Sequence, residues 1–135
     1  MTARDRSLAA AAAKAAKGAR AALALALERA RTRRQFGRPI GSFQAVQHAL
    51  AELHCDVEAA ASLAAAARRG AAPAGLAKAA ACETFLRAVE TAIQLHGAEG
   101  FTWEHPLRRA LDEALALSDV LGSAAELRER AVRGR

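Results

Sequence analysis

The 135-residue sequence is poor in aromatic side chains. It contains no tyrosine, one tryptophan and four phenylalanines, so aromatics make up 4% of its residues although 53% are hydrophobic. Proteins that hold single-stranded nucleic acid commonly stack its bases on such rings. The scarcity of rings, together with the lack of a nucleic-acid-binding motif, argues against a nucleic-acid partner even though the formal net charge is +6.

Cysteine and long apolar runs are also scarce. The two cysteines, Cys55 and Cys82, lack the spacing of a metal site, and we interpret both as buried free thiols in a reducing cytosol. No apolar run reaches the roughly 20 residues that span a bilayer. Residues 9–13 are too weakly hydrophobic for the core of a signal peptide. The sequence therefore predicts a soluble, cytoplasmic protein that does not associate with membranes.

The histidines do not have the arrangement of a metal site either. Two of them lie six residues apart, a spacing that puts them on different faces of a helix. We interpret all four as polar surface groups or satisfied packing groups: His48, His54, His96 and His105. No metal ligand set is expected.

Strand-forming runs of Val, Ile and Thr are absent from the sequence, whereas alanine, which favours helix, is abundant. Helices are predicted at about residues 4–33, 42–69, 76–96 and 106–133, with Gly122 as a candidate break in the last. The second carries an apolar stripe with steps of three, four or seven residues, formed by Phe43, Val46, Leu50, Leu53, Val57 and Ala64. The pattern predicts an all-α protein, an antiparallel four-helix up-and-down bundle that forms a single domain over residues 1–135.

The charge is unevenly distributed along the chain. Residues 1–41 carry ten Lys and Arg and two Asp and Glu, a net charge of 10 − 2 = +8. Residues 42–135 carry ten basic and twelve acidic residues, a net charge of 10 − 12 = −2. The basic excess therefore lies on the first helix and the corner that follows it. An anionic partner is expected there, most simply a phosphate-bearing cofactor.

The corner between the first two helices combines arginines with residues that break helices. Four arginines occur in the eight residues 31–38, and Gly37, Pro39 and Gly41 follow at alternate positions. Ser42 is predicted to cap a helix that starts at Phe43. A basic loop next to a helix N-terminus is suited to binding a phosphate group. The residues alone therefore predict an anion site in a loop between helices.

Two stretches resemble a known family. RRQFGRPIGSFQAVQHALAE resembles the corner between the first two helices of the C-terminal helical domain of acyl-CoA dehydrogenases. AIQLHGAEGFTWEHPLRRA resembles the Q-x-x-G-G-x-G-[FY]-T-x-E corner of the same domain. The resemblance covers nearly the whole chain but only one part of such an enzyme. It implies a domain of an FAD-dependent flavoenzyme that desaturates acyl-CoA thioesters.

The resemblance assigns cofactor contacts to the first corner. Arg33 matches an arginine that contacts the FAD pyrophosphate of a neighbouring subunit, a task for which a guanidinium fork is well suited. Phe36 matches an aromatic near the cofactor, and Gln44 a glutamine that reaches its adenosine half. Gln35 is a weaker candidate for the same role. The alternatives are a solvated helix-end arginine, a phenylalanine that plugs the corner and a glutamine that faces water.

The second corner is expected to approach the pyrophosphate through its backbone. Gln94 and Gly97 match the family positions there. The family usually has two successive glycines, whereas Ala98 follows Gly97 in this chain. Its methyl group occupies a position that could require a positive φ or a close approach.

The resemblance also indicates a missing catalytic base. Many members place a glutamate before a glycine about twenty residues beyond the second corner, and the matching pair here is Leu121-Gly122. Others place the base on the first helix, where Ser7 matches. Neither residue can accept a proton from carbon, and Glu104 and Glu99 are only weak substitutes because Glu104 is expected to order a turn. No catalytic residue is therefore assigned.

Complete members also have an N-terminal helical domain and a middle β-domain, which hold the flavin ring and much of the acyl-CoA. A first hypothesis is a C-terminal domain, as a fragment or truncated gene product, that is inactive by itself. A second is a non-catalytic interaction module that self-associates or pairs with a full-length family member. A third is a helical bundle whose site has decayed. The alanine-rich core predicts an oligomer, a dimer or tetramer, because association would bury more apolar surface.

Overall fold

The computed structural model describes residues 1–98, 102 and 105–134. Its helices are α1 (Ala3–Thr32), α2 (Gln44–Arg68), α3 (Ala74–His96), α4 (Pro106–Asp119) and α5 (Ala124–Val132). Two short strands, β1 (Arg34–Gln35) and β2 (Arg38–Pro39), and a 3₁₀ turn (Ile40–Ser42) lie between α1 and α2. The predicted all-α bundle is confirmed, and the fourth predicted helix is divided into α4 and α5. The described helices are not long and apolar enough to cross a bilayer.

The long helix α1 packs mainly against α3, and also against α2. Its start is fixed by a capping box, in which the Thr2 hydroxyl accepts from the Asp5 backbone N–H and the Asp5 carboxylate accepts from that of Thr2. The buried face is almost entirely alanine, which lets neighbouring helices approach closely. At Gly18 the approach is tightest, since a Cβ there would lie 2.5 Å from Cζ of Phe85.

The apolar stripe predicted for the second helix is confirmed. Leu50, Leu53, Val57 and Ala64 are buried against α1 and α3, whereas Phe43 and Val46 are half-buried. Cys55 lies on the opposite face and is exposed, so the prediction that both thiols are buried is wrong for this residue. Only Cys82, on the inward face of α3, is buried. Burial raises the pKa of its thiol.

The break between α4 and α5 lies at Gly122, as the sequence indicated. Leu121 and Gly122 have positive φ angles of 63° and 112°, which end the helical path. Lys78 of α3 is 1% exposed, and its Nζ donates to the carbonyl oxygens of Gly122 at 2.7 Å and of Ser118 at 3.2 Å. A buried ammonium group from a neighbouring helix thus supplies the hydrogen bonds that the end of α4 lacks.

Candidate functional site

The C-terminal end of α1 leads directly into a β-hairpin, where the sequence predicted only a loop. Gln35 of β1 lies opposite Arg38 of β2. The two loop residues, Phe36 and Gly37, have φ angles of 53° and 77°. Two positive φ angles in a two-residue loop are typical of a type I′ turn, whose twist matches that of paired strands. The turn geometry, rather than strand propensity, therefore explains these strands.

The ring of Phe36 lies at the tip of the hairpin and is 92% exposed. Its centroid is 6.3 Å from that of Phe43, and the two rings are nearly perpendicular. The guanidinium carbon of Arg38 lies 3.9 Å from the centroid of the Phe43 ring, within cation–π range. The hairpin is thus held over the start of α2. Phe36 does not plug the corner, which was one reading of the sequence, but presents its ring to solvent.

Ser42 does not cap α2, contrary to the prediction. Ser42 is the last residue of the 3₁₀ turn, and its hydroxyl donates to the Pro39 carbonyl oxygen at 2.6 Å. Phe43 therefore becomes the N-cap residue, and it provides no side-chain acceptor. Ile40 anchors the 3₁₀ turn, because its side chain is buried and its backbone N–H donates to the Arg33 carbonyl oxygen at 2.8 Å. The first turn of α2 consequently keeps backbone N–H groups without a side-chain acceptor.

Arg33 connects the two corners that the sequence motifs identified. It is the C-cap residue of α1, and its Nη1 donates to the carbonyl oxygen of Leu95, near the end of α3, at 2.7 Å. The guanidinium group covers Gly97, where an added Cβ would lie 3.2 Å from Nη1 and 3.6 Å from Nη2. Gly97 has φ 68° and ψ −143°, a conformation that essentially only glycine adopts. Arg33 is therefore a half-buried residue with a structural partner, and not a freely solvated arginine.

The three glutamines that the sequence also assigned to the cofactor are all exposed. Gln94, on the last turn of α3, is exposed close in sequence to Gly97, and Gln35 and Gln44 are exposed on the hairpin and at the start of α2. Ala98 is exposed as well, and it is not among the non-glycine residues with positive φ in the described part of the chain. The backbone thus accommodates its methyl group. The structure brings Arg33 and Gly97 into contact and leaves the three glutamines open to solvent.

Comparison with known proteins identifies the family. The family model described as "Acyl-CoA dehydrogenase, C-terminal domain" matches residues 2–134. This chain belongs to the acyl-CoA dehydrogenase family. It is 40% identical over 110 residues to acyl-CoA dehydrogenase IpdE2 of Mycobacterium tuberculosis, an alignment that covers 80% of this chain and 35% of IpdE2. It is 39% identical over 110 residues to 3-sulfinopropanoyl-CoA desulfinase of Paraburkholderia xenovorans, with 77% of this chain and 28% of that protein covered.

Solved structures of acyl-CoA dehydrogenases have the same fold. A glutaryl-coenzyme A dehydrogenase in complex with glutaryl-CoA superimposes with a TM-score of 0.88 at 31% identity, over 98% of this chain and 36% of that one. A chain of the ChsE4–ChsE5 complex from Mycobacterium tuberculosis gives a TM-score of 0.81 at 34% identity, over 94% and 36% of the two chains. The chain therefore spans about a third of the length of these relatives. What it matches is the C-terminal domain of an acyl-CoA dehydrogenase.

Leu121, which the motif resemblance aligned with the family's catalytic base, lies at the other end of this acyl-CoA dehydrogenase domain. Leu121 is half-buried in the turn between α4 and α5, and its carbonyl oxygen accepts from Nη2 of Arg4 at 2.8 Å. Ser7, the alternative position, is exposed on the same end of α1, and its hydroxyl donates to the Ala3 carbonyl oxygen at 3.1 Å. From Arg4 to Arg33, α1 rises about 1.5 Å per residue, or about 43 Å. Neither Leu121 nor Ser7 is a base for removing a proton from carbon.

The second corner also contains Glu99, Glu104 and His105. Glu104 and Glu99 lie outside the described residues, so the weak candidacy of Glu104 stays a prediction. His105 caps α4, since its Nδ1 accepts from the Leu107 N–H at 3.2 Å, and its ring centroid lies 4.9 Å from that of His96. Sequence reasoning treated these histidines as generic polar groups. A histidine directly before Pro106, the first helical residue, was the signal that could have identified the cap.

Proposed function

We propose that this chain, as one domain over residues 1–135, acts as the FAD-contacting and assembly domain of an acyl-CoA dehydrogenase. In this proposal the corner of Arg33 and Gly97 contacts the pyrophosphate of an FAD whose ring and acyl-CoA substrate are bound by other domains. The observation that carries the proposal is the contact of the Arg33 guanidinium with Gly97, because it joins the two motif corners into one cationic surface. When bound, FAD accepts the hydride in the desaturation of an acyl-CoA thioester.

The residues at the corner fit a pyrophosphate group. Arg33 uses Nη1 on the Leu95 carbonyl oxygen, and its guanidinium has further N–H donors for a phosphate. Gly97 has no side chain, so its backbone can lie close to a pyrophosphate bound at the corner. The N-terminus of α2 lacks a side-chain cap, which leaves backbone N–H groups for the same anion. The exposed side chains of Gln44 and Gln94 are long enough to bond the ribose and adenine side of the same ligand. The exposed Phe36 ring offers an apolar surface to a partner.

The distance between the two ends of α1 favours contact with a cofactor held by a neighbouring subunit. The base position at Leu121 and the corner at Arg33 are separated by about 40 Å along the helix, too far for one flavin to lie against both. A cofactor at the corner would therefore react at another chain's catalytic end. This arrangement requires an oligomer, for which we propose a homo-dimer, a homo-tetramer or a hetero-oligomer with a full-length acyl-CoA dehydrogenase.

The experiment that tests the cofactor role is a titration of the purified chain with FAD and with ADP, followed by flavin fluorescence and thermal shift. Arg33→Ala should weaken binding by about tenfold, as expected for a lost charge-assisted phosphate contact. Arg33→Lys should recover only part of it, because lysine cannot form the bidentate contact. Arg69→Ala is the matched control, since Arg69 is exposed at the far end of α2.

The outcome that contradicts the proposal is an equal effect of Arg33→Ala and Arg69→Ala, which would indicate a diffuse basic surface. Because Arg33 also bonds α3, Phe36→Ser provides a second variant that removes an exposed ring without touching the core. It should lower FAD affinity and leave the unfolding temperature unchanged.

A non-catalytic role in assembly is the second candidate, and Leu121 favours it. With leucine at the base position, the chain by itself should reduce no dye with a panel of acyl-CoAs and added FAD. Light scattering of the chain, alone and mixed with a full-length family member, distinguishes the two roles. Assembly without any dependence on Arg33 or on FAD would support an interaction module over a cofactor-contacting domain.

A further inference from the structure

The hairpin at the end of α1 is too short to keep its position by itself. Its strands have two residues each, with Arg34 paired to Pro39 and Gln35 to Arg38. Pro39 has no N–H to donate to the opposite strand, and even longer isolated hairpins are only marginally stable in water. Contacts from outside the two strands must therefore fix the hairpin on the bundle.

The tip of the hairpin increases this requirement. Phe36 has a φ angle of 53°, which residues other than glycine seldom adopt, and its ring is 92% exposed. Neither backbone preference nor burial therefore holds this ring in place. Within the turn, Nη2 of Arg34 donates to the Gly37 carbonyl oxygen at 2.6 Å. This hydrogen bond closes the turn but does not attach it to a helix.

The ring of Phe43 connects the tip to α2. Phe43 is the N-cap residue of α2 and is half-buried, so its ring is anchored to the bundle. The Phe36 ring lies 6.3 Å from it in an edge-on arrangement, and the guanidinium carbon of Arg38 lies 3.9 Å from its centroid. Arg38 begins the strand that follows the turn, so a guanidinium held on Phe43 also fixes that strand. The position of the Phe36 ring thus depends on Arg38 as well as on Phe43.

The arginines of this corner accordingly have different tasks, although their charges are the same. Arg33 contacts Gly97 and has N–H donors left for a phosphate, whereas the guanidinium of Arg38 is engaged with the face of a ring. We propose that Arg38 is a positioning residue of the cofactor corner. It holds Phe36 in place through Phe43, and its contribution to FAD binding comes from these rings and not from a phosphate contact. The inference rests on the proposed function, in which FAD is bound at this corner.

The test is a titration of the 135-residue chain with FAD at several salt concentrations, followed by flavin fluorescence. Arg38→Gln should weaken binding about two- to fivefold, the effect of one cation–π contact at an exposed site. Arg38→Lys should keep most of the affinity, because an ammonium group is also attracted to a ring face. The salt dependence of binding should be unchanged in Arg38→Gln and smaller in Arg33→Ala, because only the latter removes a phosphate contact.

A double-mutant cycle with Phe43 tests whether Arg38 acts through the ring. Phe43→Leu keeps an apolar side chain at the start of α2 and removes the face on which the guanidinium lies. In this background Arg38→Gln should weaken FAD binding no further. Without FAD, NMR should show the side-chain protons of Arg38 shifted upfield by the ring. Arg38→Gln should speed hydrogen exchange in the hairpin and leave the unfolding temperature unchanged.

The control is Arg69→Gln, which removes the same charge at the far end of α2, where Arg69 is exposed, and should change none of these quantities. A smaller salt dependence in Arg38→Gln, or an equal loss of affinity in the Phe43→Leu background, would make Arg38 a phosphate ligand and overturn the inference. Weaker binding by Arg33→Ala without any effect of Arg38→Gln would also overturn it and leave the proposed function intact. If Arg33→Ala has no effect either, the proposed function fails and the inference fails with it.

Discussion

The contact of Gly18 with Phe85 makes Gly18→Ala a sensitive test of how α1 packs on α3. An ideal Cβ on Gly18 would lie 2.5 Å from Cζ and 2.6 Å from Cε2 of the Phe85 ring. Ordinary contacts between carbon atoms are about 3.5–4.0 Å. The substitution therefore requires a displacement of about 1 Å. The Phe85 ring is 1% exposed and has no solvent side to which it could move.

Two opposing effects set the magnitude. Overpacking a core with one methyl group costs about 1–3 kcal/mol, whereas replacing glycine by alanine inside a helix gains up to about 1 kcal/mol. We expect the free energy of unfolding to fall by about 1–2 kcal/mol. For a domain of this size, one kcal/mol corresponds to about 4 °C in the unfolding temperature. Thermal unfolding followed by circular dichroism should therefore show a decrease of about 4–8 °C.

The control is another helical glycine that has room for a methyl group. A Cβ on Gly75 would lie 3.5 Å from Cδ2 of Leu127, an ordinary contact, so Gly75→Ala should leave stability unchanged or slightly raised. In a Phe85→Leu background, Gly18→Ala should stabilise the protein, because the ring that it meets is gone. If Gly18→Ala stabilises the protein with Phe85 in place, or destabilises both backgrounds equally, the argument from close contact is refuted.

Three further predictions follow from single contacts. Gly97→Ala introduces a side chain at φ 68°, with its Cβ 3.2 Å from Nη1 of Arg33, and should cost about 1–3 kcal/mol in thermal unfolding while weakening FAD or ADP binding in titrations. Lys78→Met leaves the carbonyl oxygens at the end of α4 without their donor. It should cost about 1–3 kcal/mol and speed hydrogen exchange in residues 118–123, whereas Lys17→Met, at an exposed position, should change stability by less than about 0.5 kcal/mol. The hydrogen bond from Arg128 lowers the pKa of Glu83 below 4.5. The stability it contributes should be present above pH 4.5 and lost as the pH falls through the lowered value, and urea unfolding of Glu83→Gln should show less of this acid loss.

The helices were largely predictable because they depend on local signals. Alanine content, the apolar stripe of α2 and the glycine at residue 122 each act within a few residues. Ser42 was misassigned because its role depends on Ile40, whose burial against α1 stabilises a 3₁₀ turn ahead of the helix. That contact joins segments whose proximity the sequence does not reveal. The exposure of Cys55 was missed for a different reason: the apolar stripe already leaves this residue on the outer face of α2, but cysteine as a residue type is usually buried, and the prediction followed the residue type.

The candidate site was predictable as a set of residues but not as an arrangement. The motif resemblance pointed to Arg33 and Gly97 separately. The partner of Arg33, the Leu95 carbonyl oxygen, lies 62 residues away along the chain. It is a backbone atom, which every residue has, so the sequence does not indicate which one Arg33 contacts. Gly18 shows the same limit. Helix propensity predicts only that a glycine destabilises α1, whereas in the structure this glycine leaves room for the Phe85 ring of α3. The role of Lys78 was missed because a lysine in a helical pattern is usually a solvated one.

The rates at which a thiol reagent modifies the two cysteines report how often the helical bundle opens locally. The Cys82 sulfur lies 3.5 Å from the carbonyl oxygen of Leu117, on the side of α3 that α4 covers. A thiol reagent can reach Cys82 only after α4 has moved away from α3, while Cys55 is reached at once. The lag between the two modifications in the same molecule therefore reports how often the end of the bundle next to Lys78 opens. Its dependence on urea would distinguish local separation of α4 from unfolding of the whole chain.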